Sequence, residues 1–354
     1  MAPQNNNLTD PRPESPTLLR GAPVEDWRHL VESAQLFTRL APWNWMEPHD
    51  LFGIRLTPNG PVAGISIMGA RLANQTCFAF MGLETVARIR DLMQARTLTI
   101  HDLIEAPAMQ LAFVKTNEMG DDDRDILRVA DALPEAGAPG PVFRCHRPGY
   151  LPWILEGEEV RQMAELLRQA VGVAMRRESD PDLLNPPEAD MIWVRGRSAA
   201  GAWREAWLPF TSAPAQAPQT LDADKLARAA ALPCQPSRVE FDLALSRATV
   251  GEPGNRLRTT YLLAAVDSES GSCIGADVIL PTEGVASMWR SVPNRLLDLC
   301  FHIGGRPREI EVASDRMMET LRPLLGRLPL KLTFRGALPH FQTLLEGMGQ
   351  AKQH

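Results

Sequence analysis

The last third of the chain constrains the fold most. Arg238–Ala248, RVEFDLALSRA, sets Val239, Phe241, Leu243 and Leu245 against Glu240, Asp242, Ala244 and Ser246. That period of two marks a strand with unlike faces. TTYLLAAVD (Thr259–Asp267) and SCIGADVIL (Ser272–Leu280) supply two further strands, joined by a turn over Ser268–Gly271. The pattern then predicts a helix over Glu283–Ile303, a strand REIEVAS, a helix over Arg316–Gly326, a strand LPLKLTF and a final helix over Ala337–Met348. A run of strands that turns into alternating helices and strands implies an α/β (α+β) unit with a mixed, partly parallel sheet between helices.

The region before it reads similarly. A helix near Val24–Leu36 is followed by strands at Leu51–Leu56, Val62–Met68 and Thr76–Met81, with Asn59-Gly60 as a hairpin turn between the first two. Next come a helix over Leu83–Met93, a strand at Met109–Val114, a helix opened by the acidic run DDDRD, and a strand in PVFRCH. A long amphipathic helix over Glu156–Arg177 leads to a hairpin of MIWVRGRS and AWREAWLPF. Pro, Ala and Gln then crowd Thr211–Gln219, the composition of a linker. We therefore expect a disordered leader over 1–21, an α+β domain over 22–210, a linker over 211–221 and an α/β domain over 222–354. At 354 residues the chain has room for both domains.

Charge and cysteine usage exclude several classes. The net charge is −6, with no general pull toward nucleic acid or an anionic membrane. Lysine occurs at only Lys115, Lys225, Lys331 and Lys352, so arginine carries nearly all of the basic charge, a bias that points to a GC-rich bacterial genome. Five scattered cysteines with no C-x-x-C argue against a disulfide framework or structural zinc. No apolar run reaches the length of a membrane span, and the N-terminus has no signal-peptide pattern. The expected location is the cytoplasm.

The strand and helix order over residues 237–350 resembles the ribonuclease H-like catalytic core of retroviral integrases and DDE transposases. In that family the first strand carries an aspartate, here Asp242 in EFDLAL. A second aspartate ends the fourth strand, here Asp315 after IEVAS, and a glutamate sits on the last helix, here Glu346 in LLEGMG. The resemblance implies a metal site at Asp242 and Asp315 completed by Glu346, because two-metal phosphoryl transfer needs clustered oxygen ligands for Mg²⁺. Each residue has a plainer alternative. Asp315 fits a helix N-cap, with Ser314 as its rival. Asp242 shares its face with Glu240 and Ser246, as on a solvated strand. Glu346 fits an exposed helix position.

From Arg238 onward there are 14 Lys plus Arg and 13 Asp plus Glu, a balance of about +1. Proteins that handle nucleic acid cluster positive charge, because phosphate contacts dominate their affinity. Nucleic acid is therefore a disfavoured partner. A non-catalytic interaction or regulatory protein is the leading expectation, and a Mg²⁺-dependent phosphodiester-cleaving or strand-transfer enzyme the alternative. No cofactor is expected beyond Mg²⁺ in that second case.

In the first half, PWNWMEPHDLFGI, ISIMG, CFAFMG and FRCHRPGYLPWIL resemble an uncharacterised bacterial family of unknown function, with such an N-terminal domain followed by an α/β domain. That resemblance implies architecture and no activity. If this half holds a ligand, Arg144 and Arg147 beside the Pro148-Gly149 turn could grip a small anion, His146 could carry a proton, and Trp43, Trp45, Asp50 and Trp153 would line the site. The plainer alternative pairs the arginines with acids such as Asp50 or Glu47 and wedges the aromatic rings onto the core. The partner is thus an unknown protein or a small anionic ligand.

Overall fold

The computed structural model describes residues 18–69, 75–210, 221–252 and 254–350. Most of the expected leader (1–17) and linker (211–220) lie outside the described residues. The fold is α/β, with nine helices and three sheets among the described residues. The chain divides into two compact units. One comprises residues up to Thr97, Ala108–Cys145 and Trp153–Thr211; the other comprises Leu98–Pro107, His146–Pro152 and the chain from Ser212 onward. Two short segments inside 22–210 thus belong to the second unit.

The first unit opens with a minimal hairpin of β1 (Leu18–Leu19) and β2 (Ala22–Pro23), then helix α1 (Val24–Leu40). Its main sheet begins with β3 (Phe52–Arg55), β4 (Ala63–Met68) and β5 (Thr76–Met81), an antiparallel meander whose first turn closes when Gly60 donates to the Thr57 carbonyl at 3.1 Å. After α2 (Leu83–Gln94) come, in chain order, α3 (Ile100–Glu105), β6 (Ala108–Lys115), α4 (Asp121–Val129), β7 (Pro139–His146), α5 (Glu158–Ser179), β8 (Met191–Arg197) and β9 (Trp203–Pro209). The strand order is β7-β6-β5-β4-β3-β8-β9, and β8 runs parallel to β3. All six residues of β4 are buried, so its sequence AGISIM is apolar almost throughout. Ala63, Ile65 and Ile67 join the core that α1 and α5 cover. On the other face α2 packs so closely that a methyl group at Gly64 would collide with Val86.

The second unit contains α3 and continues with α6 (Ala223–Ala230). Then come β10 (Cys234–Val250), β11 (Arg258–Asp267), β12 (Cys273–Ile279), α7 (Val285–His302), β13 (Arg306–Val312), α8 (Asp315–Leu321), β14 (Lys331–Phe334) and α9 (Pro339–Gln350). Its sheet order is β12-β11-β10-β13-β14. The first three strands form an antiparallel meander, and β13 and β14 run parallel to β10. Val239, Phe241 and Leu243 face the core built with α7 and α8.

The opposite face is not the solvated surface that its alternation suggests. Helix α9 packs on β10 and β11 there, seating Leu338 and Phe341 against Leu262 and Ala264. Glu240 and Asp242 are buried as a result.

Candidate functional site

The α9 face of the second unit concentrates acidic groups. β10 and β13 pair in parallel with Glu240 level with Glu311, which brings Glu240, Asp242, Glu309 and Glu311 onto two adjacent strands, all four buried. An unpaired buried carboxylate would be costly, so each has local donors. Glu240 accepts the Phe341 backbone N–H at 2.8 Å in the first turn of α9, and His340 Nδ1 lies 3.0 Å from its other oxygen. Glu311 accepts two bonds from the Arg335 guanidinium, at 2.6 and 2.9 Å, and one from the Ser268 hydroxyl at 3.0 Å. Thr333 and Lys331 donate to Glu309 and hold its carboxyl below the usual range.

Asp242 differs from the other three. Among the described residues, its oxygens accept only backbone N–H groups, from Leu243 at 2.8 Å and Ala313 at 3.4 Å. It is 8% exposed. Burial without a cationic partner pushes its pKa up to about 6, against the smaller downward pull of the two amides. Such a carboxyl takes up a proton near pH 6, above the ordinary aspartate range.

The residues of the sequence-based triad differ in setting: Asp242 is buried, and Asp315 and Glu346 are exposed. Asp242 reaches the end of β13, as adjacent parallel strands require. Asp315 lies two residues beyond Ala313, exposed in the first turn of α8. The cap of that helix is Ser314, whose side chain accepts the Met317 N–H at 3.1 Å. Glu346 is exposed on α9. Among the described residues, no group of three or more His, Cys, Asp or Glu side chains is placed to hold a metal ion.

A second buried ionic cluster escaped the sequence reading. Glu105, 5% exposed at the end of α3, accepts the Tyr261 hydroxyl at 2.9 Å and Arg316 at 2.5 Å. The Arg316 guanidinium in turn sits 4.0 Å over the Trp289 ring. Burial, with Glu105 alongside, raises the Tyr261 pKa. The available signal was Thr99-x-x-Asp102, a capping box whose two reciprocal bonds start α3.

In the first unit the proposed ligand residues meet protein partners. Arg144 makes a bidentate pair with the buried Asp123, both bonds at 2.7 Å, so its acid is neither Asp50 nor Glu47. Asp50 accepts the Glu47 N–H at 2.9 Å and lies 3.6 Å from Arg177. Trp43 packs against Phe37 and Phe113, and Trp45 Nε1 donates to the Ala174 carbonyl at 3.3 Å. Trp153 Nε1 donates to Glu156 at 3.2 Å. In the second unit His146 is buried, whereas Arg147 is exposed.

Residues 27–195 match the family model of a domain of unknown function (DUF7309). Residues 225–349 match that of a second domain of unknown function (DUF6930). No curated protein matches the chain.

Proposed function

We propose that this chain is a non-catalytic interaction or regulatory protein of the bacterial cytoplasm, in which a ribonuclease H-like unit serves as a scaffold. The layout supports that last description: a three-stranded antiparallel meander is followed by two strands parallel to the first, in the order β12-β11-β10-β13-β14. The observation that carries the reading is the engagement of Asp242. Its oxygens accept backbone amides, while Asp315 and Glu346 are exposed. The cytoplasmic location draws on five cysteines of which none is in a disulfide. Among the described residues, no helix is long and apolar enough to cross a membrane.

The alternative is a Mg²⁺-dependent phosphodiester-cleaving or strand-transfer enzyme. It draws support from the same strand order, since Asp242 lies beside the end of β13 and Asp315 just past it. Thermal melting of the full chain with added Mg²⁺ or Mn²⁺ separates the two, with Asp315→Asn as control. The scaffold reading expects equal melting temperatures with and without metal. A metal-dependent rise that the variant abolishes would replace it with the enzyme reading.

A further inference from the structure

Helix α9 covers an acid with its apolar side. Along β10 the side chains on the α9 face are Glu240, Asp242 and Ala244, and their cross-strand partners on β11 are Val266, Ala264 and Leu262. Leu338 and Phe341 pack on the last two, with Ala244 and Ala313 at the margin of the same cluster. Asp242 is enclosed by this arrangement. Ala264 stands opposite it across the ladder, and Ala313 donates to it from the end of β13.

The charged groups around it are committed to other partners. On α9, His340 lies beside Glu240 of β10 and acts on Asp267 at the end of β11, while Glu346 is exposed. β13 brings Glu309 and Glu311, which take Lys331 and Arg335. β10 also carries Arg238, paired with Glu269, and the turn after β13 adds the exposed Asp315. β11 turns Leu262, Ala264 and Val266 toward the helix, and none of them titrates. Glu240 and Glu311, the acids that share the face of Asp242, would repel a charge on it.

An ionised Asp242 therefore needs water, and the element that gives way to admit it is the most weakly held one. β10 is fixed by ladders to β11 and β13. α9 is held on the sheet by a small apolar patch, in which Leu344 and Leu345 join Leu338 and Phe341, and by the two contacts to Glu240. Local opening starts where buried apolar contacts are few.

We propose that α9 is a pH-governed cover, which seats on the sheet while Asp242 holds its proton and lifts when Asp242 ionises, uncovering Glu240, Asp242, Leu262 and Ala264. The seated form holds the proton more tightly, because Asp242 titrates at about 6 beneath the helix against an ordinary 3.8. The preference for seating is complete below the ordinary value and is lost as pH rises through about 6. Between pH 5 and pH 8 the equilibrium constant for seating should fall about tenfold. This device goes beyond the scaffold reading and does not depend on it.

Hydrogen exchange of the full chain at about pH 5 and pH 8, read by mass spectrometry and corrected for intrinsic rates, follows the opening of α9. Protection of the amides from Phe341 to Glu346 should fall about tenfold with the rise in pH, through an opening that low urea does not accelerate. Asp242→Asn should abolish that fall. His340→Asn, which keeps a donor for Glu240 and removes the titrating ring, should preserve it. A flat profile, a fall that survives Asp242→Asn, or one that His340→Asn removes would overturn the proposal. So would α9 amides that exchange only together with those of β10, because the helix would then leave the sheet by global unfolding alone.

Discussion

Replacing Asp242 by asparagine should stabilise the protein at alkaline pH and leave it nearly unchanged in mild acid. In the folded chain the carboxyl titrates at about 6, against an ordinary value of 3.8. A raised acid pKa means that the folded state holds the proton more tightly. Its stabilising effect is complete below the unfolded value and is lost as pH rises through the folded one. The whole difference, at 1.36 kcal/mol per unit, is about 3 kcal/mol, of which about 2 is lost between roughly pH 4.5 and pH 8. Asparagine carries no charge and keeps an oxygen for the Leu243 N–H. It forfeits the long bond from Ala313, worth about 1 kcal/mol. Near pH 4.5 the variant should therefore trail the parent by no more than about 1 kcal/mol, and near pH 8 it should lead by about 1–2 kcal/mol. Urea unfolding of both proteins at the two pH values measures this, and groups common to both cancel in the difference. A gap that stays constant with pH, or an asparagine variant weaker near pH 8, would refute the burial argument.

Two further substitutions probe the neighbouring clusters. Glu105→Ala leaves Arg316 and the Tyr261 hydroxyl without their buried acceptor and should cost about 3–5 kcal/mol in unfolding free energy, whereas Tyr261→Phe removes one bond and should cost about 1–2 kcal/mol. Equal losses from the two would show that the carboxylate is not the centre of that cluster. At the start of α8, Ser314→Ala should lower stability by about 1 kcal/mol and Asp315→Ala by no more than about 0.5 kcal/mol, as unfolding titrations can resolve. The reverse order would make Asp315 the residue that holds the helix end.

Elements whose pattern is local were legible in the sequence. The alternation of Val239, Phe241 and Leu243 predicts β10, Asn59-Gly60 predicts the β3–β4 turn, and the order from β10 to α9 follows from periodicity alone. Which face of β10 meets water was not legible. Glu240 and Asp242 look solvated because their partners, Phe341 and Ala313, lie about a hundred and about seventy residues away. Arg144 shows the same limit: its place in a loop-like motif resembles an anion grip, and only the fold reveals that Asp123 already fills the fork. Pairing between remote residues leaves no period for a reader to detect.

The four acids on the α9 face also account for the behaviour of Asp242. Glu240, Glu309 and Glu311 each draw on a side chain or helix end near the sheet's last strand: His340 and the α9 N-terminus, Lys331 with Thr333, and Arg335. These donors come from the final stretch of chain, Lys331 to Phe341. Asp242, one step further along β10, lies level with Ala313, where the neighbouring strand offers a backbone amide and no cation. Three carboxylates are thus held by side chains or a helix end, and the fourth by two backbone amides without a cation.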